Sequence, residues 1–216
     1  MRKVLLIGGG GHCHSVLDSI ISTGLYDEVG VVAHNEDNYQ ELQNDNIVSE
    51  YLVGIDAELP ILFSKGWSYA FVTLGSVGNT IGRKRIYNSL KEIGFNIPVI
   101  VDKTAVVSKG AIVDEGTFVG KNAVINIGCK VSKCVIINSA SVIEHDCVIG
   151  AFTHVSPGAV LCGQVTVGSD SHVGAGAMVK QLINIGDNVL IGMGSVVVSD
   201  IPSNVKAYGN PCKVVE

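Results

Sequence analysis

From Val101 to Val197 an aliphatic residue returns at every sixth position, through Val107, Val113, Val119, Ile125, Val131 and Ile137 to Ile185 and Ile191, without a miss. A period of six does not match a helix face and is a multiple of the strand period of two. Each hexad therefore reads as a short strand followed by a corner. The position after the aliphatic is often glycine (Gly120, Gly150, Gly168, Gly174, Gly186, Gly192), and the fifth position is small or β-branched (Ala105, Ala111, Thr117, Ala123, Ser141, Thr153, Ala159, Ser171, Ala177, Ser195). Hexapeptide periodicity of this kind is the signature of a parallel β-helix.

The repeat resembles the left-handed β-helix of the hexapeptide acyltransferase superfamily, in which three hexads make one triangular coil. The inserted loop that usually breaks such prisms is missing here. With three hexads to a coil, residues eighteen apart stack at about the strand spacing of 4.8 Å. The outward positions then fall into three columns: Val106, Val124, Val142, Val160, Met178, Val196; Ile112, Lys130, Val148, Thr166, Asn184, Pro202; and Phe118, Ile136, His154, His172, Leu190. The first is wholly apolar, too long a sticky face for a monomer. It is expected to be a subunit interface, and the resemblance implies a homotrimer with closed cyclic symmetry.

Ahead of the repeats, Val4–Ile7, the turn Gly8-Gly9-Gly10-Gly11 and a helical stretch from His12 or Ser15 to about Thr23 read as strand, glycine turn and helix. Val29–Val32 and Tyr69–Leu74 read as further strands, and Thr80–Ile93 as a helix stopped by Gly94. The fold class is thus an α/β, Rossmann-like domain over 1–100, followed by a left-handed parallel β-helix with a C-terminal tail over 101–216. The glycine turn suits a phosphate, because unpaired N–H groups and the helix dipole face it. As a dinucleotide fingerprint it is weak: Cys13 or His14 stands at the third glycine of G-x-G-x-x-G. The second strand ends in Ala33-His34, where a ribose-binding acid would stand.

Charge narrows the partners. Fifteen Lys+Arg against twenty Asp+Glu give a net charge of −5, so no basic field attracts nucleic acid or an anionic membrane. No apolar run approaches a membrane span of about 18 residues or more, and the N-terminal apolar run is too short for a secretory signal. A cytoplasmic location is the expectation. The six cysteines include no C-x-x-C pair and read as small buried residues, not as zinc ligands or disulfides; Cys129 and Cys147, eighteen apart, stack inside the prism.

The short glycine-turn domain, the Leu74-Gly75 turn with Arg83 on the next helix, and the ending Tyr208-Gly209-Asn210-Pro211 are similar to the family of sialic acid O-acetyltransferases and nucleotide-sugar N-acetyltransferases. The stretch from Ser141 through Glu144-His145-Asp146 to His154-Val155 matches best. The resemblance implies acetyl-CoA as co-substrate, no metal, His145 as general base and Asp146 as the acid that raises its basicity. Acyl transfer from a thioester needs the nucleophile to lose its proton, and imidazole suits that task near neutrality. Glu144 is a rival partner for the ring. His154, Ala175 and Met193 fall on the family's acetyl-CoA contacts, and His172 has no counterpart role. In a cyclic trimer the column of His154 can approach the neighbour's first column and so its His145. Gly10, Gly11, His12 and Gly75 match the substrate-binding turns. His34 joins them at the place where the family carries a nucleotide-contacting aspartate, and Asp102-Lys103 stands where relatives often have His-Pro.

The reaction expected is acetylation of the 4-amino group of a UDP-linked 4-amino-4,6-dideoxy sugar, with O-acetylation of a sialic acid or related nonulosonate as the alternative. A metal hydratase on the same fold would need three converging imidazoles, and His145, His154 and His172 lack the close spacing. A non-catalytic nucleotide-binding scaffold would tolerate loss of His145.

Overall fold

The structure, a computed structural model, describes residues 1–215. It divides into two compact units, one of Met1–Gly75 and Ile81–Ile100, the other of Ser76–Thr80 and the chain from Val101 onward.

The first unit is a parallel sheet with helices. Its strands β1 (Lys3–Ile7), β2 (Glu28–Ala33), β3 (Leu52–Ile55) and β4 (Tyr69–Val72) lie in the order β3-β2-β1-β4. Val4 to Ile7 are all at most 1% exposed, as expected for a parallel strand covered on both faces. Between the strands run α1 (Gly11–Thr23), α2 (Glu36–Leu42) and α3 (Leu59–Ser64), and α4 (Ile81–Ile93) follows β4. Helix α1 ends at Gly24 in the left-handed conformation (φ 62°), whose N–H reaches the Ile20 and Ile21 carbonyls. Elements α2, β3 and α3 occupy the polar stretch 36–64, to which the hydrophobic pattern assigns nothing. Strand β4 stops at Val72, so Leu74, expected within it, lies in the following turn and is 42% exposed.

The second unit is a left-handed parallel β-helix. Each periodic aliphatic is the second residue of a two-residue strand, and the strands stack eighteen residues apart: Val142 beside Val160, Lys130 beside Val148, His154 beside His172. Three residues after the aliphatic the chain turns a corner in the left-handed region. Gly116, Gly128, Gly158, Gly176 and Gly194 do so readily, but Asn122, Ala140, Asp146, Phe152 and Leu182 adopt it as well, with φ from 56° to 66°. Stacked coils hold these strained corners in place through bonds such as Asp146 N–H to the Ile127 carbonyl (3.0 Å) and Gln164 N–H to the His145 carbonyl (2.9 Å).

The prism interior tolerates hydroxyls and thiols for one reason. Thr153 Oγ1 donates to the Gly168 carbonyl (2.7 Å), Ser171 Oγ to that of Gly186 (2.8 Å), Cys129 Sγ to that of Glu144 (3.0 Å) and Cys147 Sγ to that of Cys162 (3.2 Å). Each reaches fifteen residues ahead, to the backbone of the next coil, so these buried polar groups are satisfied.

The last coil is shorter. Ile201 bridges to Ile185 and Lys206 pairs with Leu190, sixteen residues apart instead of eighteen. Asn184 therefore lies over Asp200, whose Oδ1 accepts from its N–H at 2.8 Å. Pro202, placed by the period in the second column, does not stack there. The chain closes with an antiparallel pair, Lys206–Gly209 and Cys212–Val214, around the cis Asn210-Pro211 bond. Ser76–Thr80 belongs to this unit rather than to the α/β one: His154 Nδ1 lies 3.0 Å from the Ser76 carbonyl, and Thr80 Oγ1 donates to Asp170 Oδ1 at 2.6 Å.

Candidate active site

In the first unit the sheet order reverses at β1, with β2 and β3 on one side and β4 on the other. Loops at the carboxyl ends of strands open a crevice at such a point. A cavity of about 580 Å³ lies there. Gly8 has φ 105°, a conformation open to glycine, and a side chain on Gly9 would overlap Leu42. The turn thereby leads into α1, whose N-cap Gly10 offers no side-chain bond to the first N–H groups. Gly10, Gly11, His12, His34 and Gly75 all line this one cavity.

Asn38, Asp56 and Arg85 are among the lining residues not singled out from sequence. Asp56 is the most informative. Ala33 pairs with Ile55 in the sheet, so His34 and Asp56 follow adjacent strand ends, and His34 Nδ1 lies 2.8 Å from Asp56 Oδ2. A carboxylate thus stands just after the end of β3, beside the end of β2, which carries none. No sequence signal marks Asp56, because β3 is four residues long and gives no alternating pattern.

In the β-helix, His145 is exposed at a corner, and its Nδ1 lies 2.9 Å from Asp146 Oδ2. Glu144 turns elsewhere: its Oε2 accepts from Asn126 Nδ2 at 3.0 Å, one coil back. Of the two carboxylates, Asp146 is the one that faces the ring. The Asp146 hydrogen bond, aided by its charge and those of Glu144 and Cys129, raises the His145 pKa above the ordinary histidine value. With Nδ1–H donated to Asp146, Nε2 carries the free lone pair. His145 borders a cavity of about 390 Å³ shared with Glu144, Cys162, Gly163, Gln164, Gln181 and Leu182.

His154, Ala175 and Met193 line a different groove of about 360 Å³, together with Val77, Pro157 and His172 among others. Both His154 nitrogens are engaged, Nδ1 with the Ser76 carbonyl and Nε2 with Asn138 Nδ2 at 3.1 Å. His172, 8% exposed, meets His154 edge to face with centroids 4.9 Å apart. Its Nε2 is 3.2 Å from Ser156 Oγ, and burial lowers its pKa. Within one chain, then, His145 and His154 border separate cavities. Among the described residues no group of three His, Cys, Asp or Glu side chains is arranged to hold a metal ion, and no helix is long and apolar enough to cross a membrane.

Comparison with known proteins matches the PglD N-terminal domain family to residues 3–90 and the bacterial transferase hexapeptide, in six repeats, to residues 146–181. The acetyltransferase domain of PglB from Neisseria gonorrhoeae is 31% identical over 100% of both chains, with a TM-score of 0.87. PerB from Caulobacter crescentus, solved in complex with CoA and GDP-perosamine, is 33% identical over 100% of this chain and 98% of its own, with a TM-score of 0.89. The chain belongs to the nucleotide-sugar N-acetyltransferase family of hexapeptide proteins. As a member of that family it is an acetyltransferase. WeeI from Acinetobacter baumannii, 21% identical over 100% of both chains with a TM-score of 0.84, shares the fold. A search of curated protein sequences found no match.

Proposed function

We propose that this family member transfers acetyl from acetyl-CoA to the 4-amino group of a nucleotide-linked 4-amino-4,6-dideoxy sugar, with His145 as general base. The observation that carries the reading is the exposed His145–Asp146 pair beside an open cavity. The amine nitrogen attacks the thioester carbonyl, forming the C–N bond. His145 Nε2 takes the proton that nitrogen sheds, and Asp146 stabilises the imidazolium. The C–S bond then breaks, and the imidazolium returns the proton to the leaving thiolate.

The nucleotide belongs in the cavity of the first unit. Its diphosphate meets the N-terminus of α1 at Gly10, Gly11 and His12, with the exposed Arg85 nearby. The His34–Asp56 pair and Asn38 supply polar contacts for the nucleoside. Acetyl-CoA occupies the groove of His154, Ala175 and Met193, where His154, its nitrogens engaged, presents its ring as a wall. The relative solved with CoA and GDP-perosamine supports these two classes of ligand.

Because His145 and His154 border different cavities of one chain, the site completes across a subunit boundary. The first column supplies it: Val106 and Met178 are 60% and 56% exposed, and the others in the column are partly exposed. A homotrimer through Val106, Val124, Val142, Val160, Met178 and Val196 joins one protomer's His145 to its neighbour's groove.

The acceptor is tested by thiol release from acetyl-CoA with UDP-, GDP- and dTDP-linked 4-amino-4,6-dideoxy sugars and with sialic acids. Turnover with one amino-sugar nucleotide supports the reading and identifies the base. Turnover with sialic acid alone overturns it in favour of O-acetylation.

A further inference from the structure

The third hexad position at the His145 corner is occupied, coil by coil, by Lys109, Ile127, His145, Gly163 and Gln181. Gly163 alone lacks a side chain, and its backbone does not require that, because it is not among the residues with positive φ. What requires it is space. A Cβ on Gly163 would lie 2.5 Å from His145 Nε2, 2.6 Å from Cε1 and 3.2 Å from Cδ2. Overlap with both Nε2 and Cε1 places that methyl over the face of the ring, so the imidazole rests on the Gly163 backbone.

The two backbones cannot draw apart, so a methyl must displace the ring. Gln164 N–H is bonded to the His145 carbonyl at 2.9 Å, and the Gly163 carbonyl accepts from Leu182 N–H at 3.1 Å. The coils above and below thus fix the height of the shelf. Gly128 makes matching room on the other side, since a Cβ there would overlap Asp146 Oδ1.

We infer that Gly163 is a positioning residue for His145: its bare backbone is the shelf that holds the imidazole in line with Asp146 and leaves Nε2 open to the cavity. The inference rests on the reading of His145 as the base. A methyl at this position tilts the ring away from Asp146, and the groups that set its proton affinity are Asp146, Glu144 and Cys129, with Cys162 also lining the cavity.

The test is a cycle of Gly163→Ala, His145→Ala and the double variant, read by kcat for thiol release, by thermal melting and by NMR titration of the His145 ring in the two chains that carry it. Gly163→Ala is expected to lower kcat about tenfold or more with KM for acetyl-CoA little changed. The His145 titration should move down toward the ordinary histidine value as the Asp146 contact is lost. Any loss of melting temperature should disappear when His145 is already alanine, because the clash is with the ring. Unchanged kcat and titration, or an equal loss of melting temperature with and without the ring, would overturn the shelf. Full activity in His145→Ala would instead overturn the base assignment and leave the melting cycle interpretable.

Discussion

His145 and Asp146 are neighbours in sequence, yet their side chains meet, with Nδ1 and Oδ2 2.9 Å apart. The left-handed backbone of Asp146, φ 60°, turns the carboxylate back toward the preceding ring. Asn tolerates the same backbone region, so Asp146→Asn removes charge without disturbing the corner. Since the pair raises the His145 pKa, the rate should climb with pH through an apparent pKa above the ordinary value near 6.5, where the base loses its proton. Asp146→Asn should shift that limb downward and cut kcat about tenfold, the scale of one hydrogen bond to a charged group. Rate profiles from pH 5.5 to 9 read both effects.

In the cavity of the first unit, Asp56→Ala should leave His34 without its partner and raise KM for the nucleotide sugar about tenfold or more. The kcat at saturation should hardly move, because the pair is proposed to hold the nucleoside and not the amine. Initial-rate kinetics with varied nucleotide sugar separate the two parameters.

The apolar first face gives a prediction about assembly. Met178→Glu places a charge on a residue that is 56% exposed in the single chain, so the β-helix should fold and the trimer should not form. Light scattering coupled to size exclusion should report a monomer, with thiol release lost as the shared site comes apart.

His172 gives a pH effect on stability with a definite sign. Burial lowers its pKa, so the fold holds it neutral where the unfolded chain would bind a proton. Its contribution is fully favourable above about pH 6.5 and is lost as pH falls toward the folded value. His172→Phe should therefore narrow the gap between melting temperatures at pH 7.5 and 5.5 relative to the parent chain.

The sequence disclosed the prism because each coil repeats one demand, an aliphatic side chain pointing inward, and Val101 to Val197 meets it every time. It did not disclose the corners, where Ala140, Phe152 and Leu182 take a conformation that their own propensities disfavour and that only stacked coils sustain. The shortened last coil escaped for a related reason: Ile201 and Ala207 stand off the period, and their places are set by pairing with Ile185 and Ile191. In the first unit Gly10, Gly11, His12, His34 and Gly75 were marked by the family resemblance, and they line one cavity. Asp56 was not, because its role depends on β3 lying beside β2, a long-range relation without a local mark.

In the proposed reaction His145 removes the proton during acetyl transfer. The most direct measurement is kcat for His145→Ala against the parent chain, with acetyl-CoA and the best amino-sugar nucleotide both saturating and the trimer verified. A fall of about a hundredfold or more is expected, the scale of a lost general base, with loss of the rising pH limb. A kcat within a few-fold of the parent, on an unchanged pH profile, would contradict it.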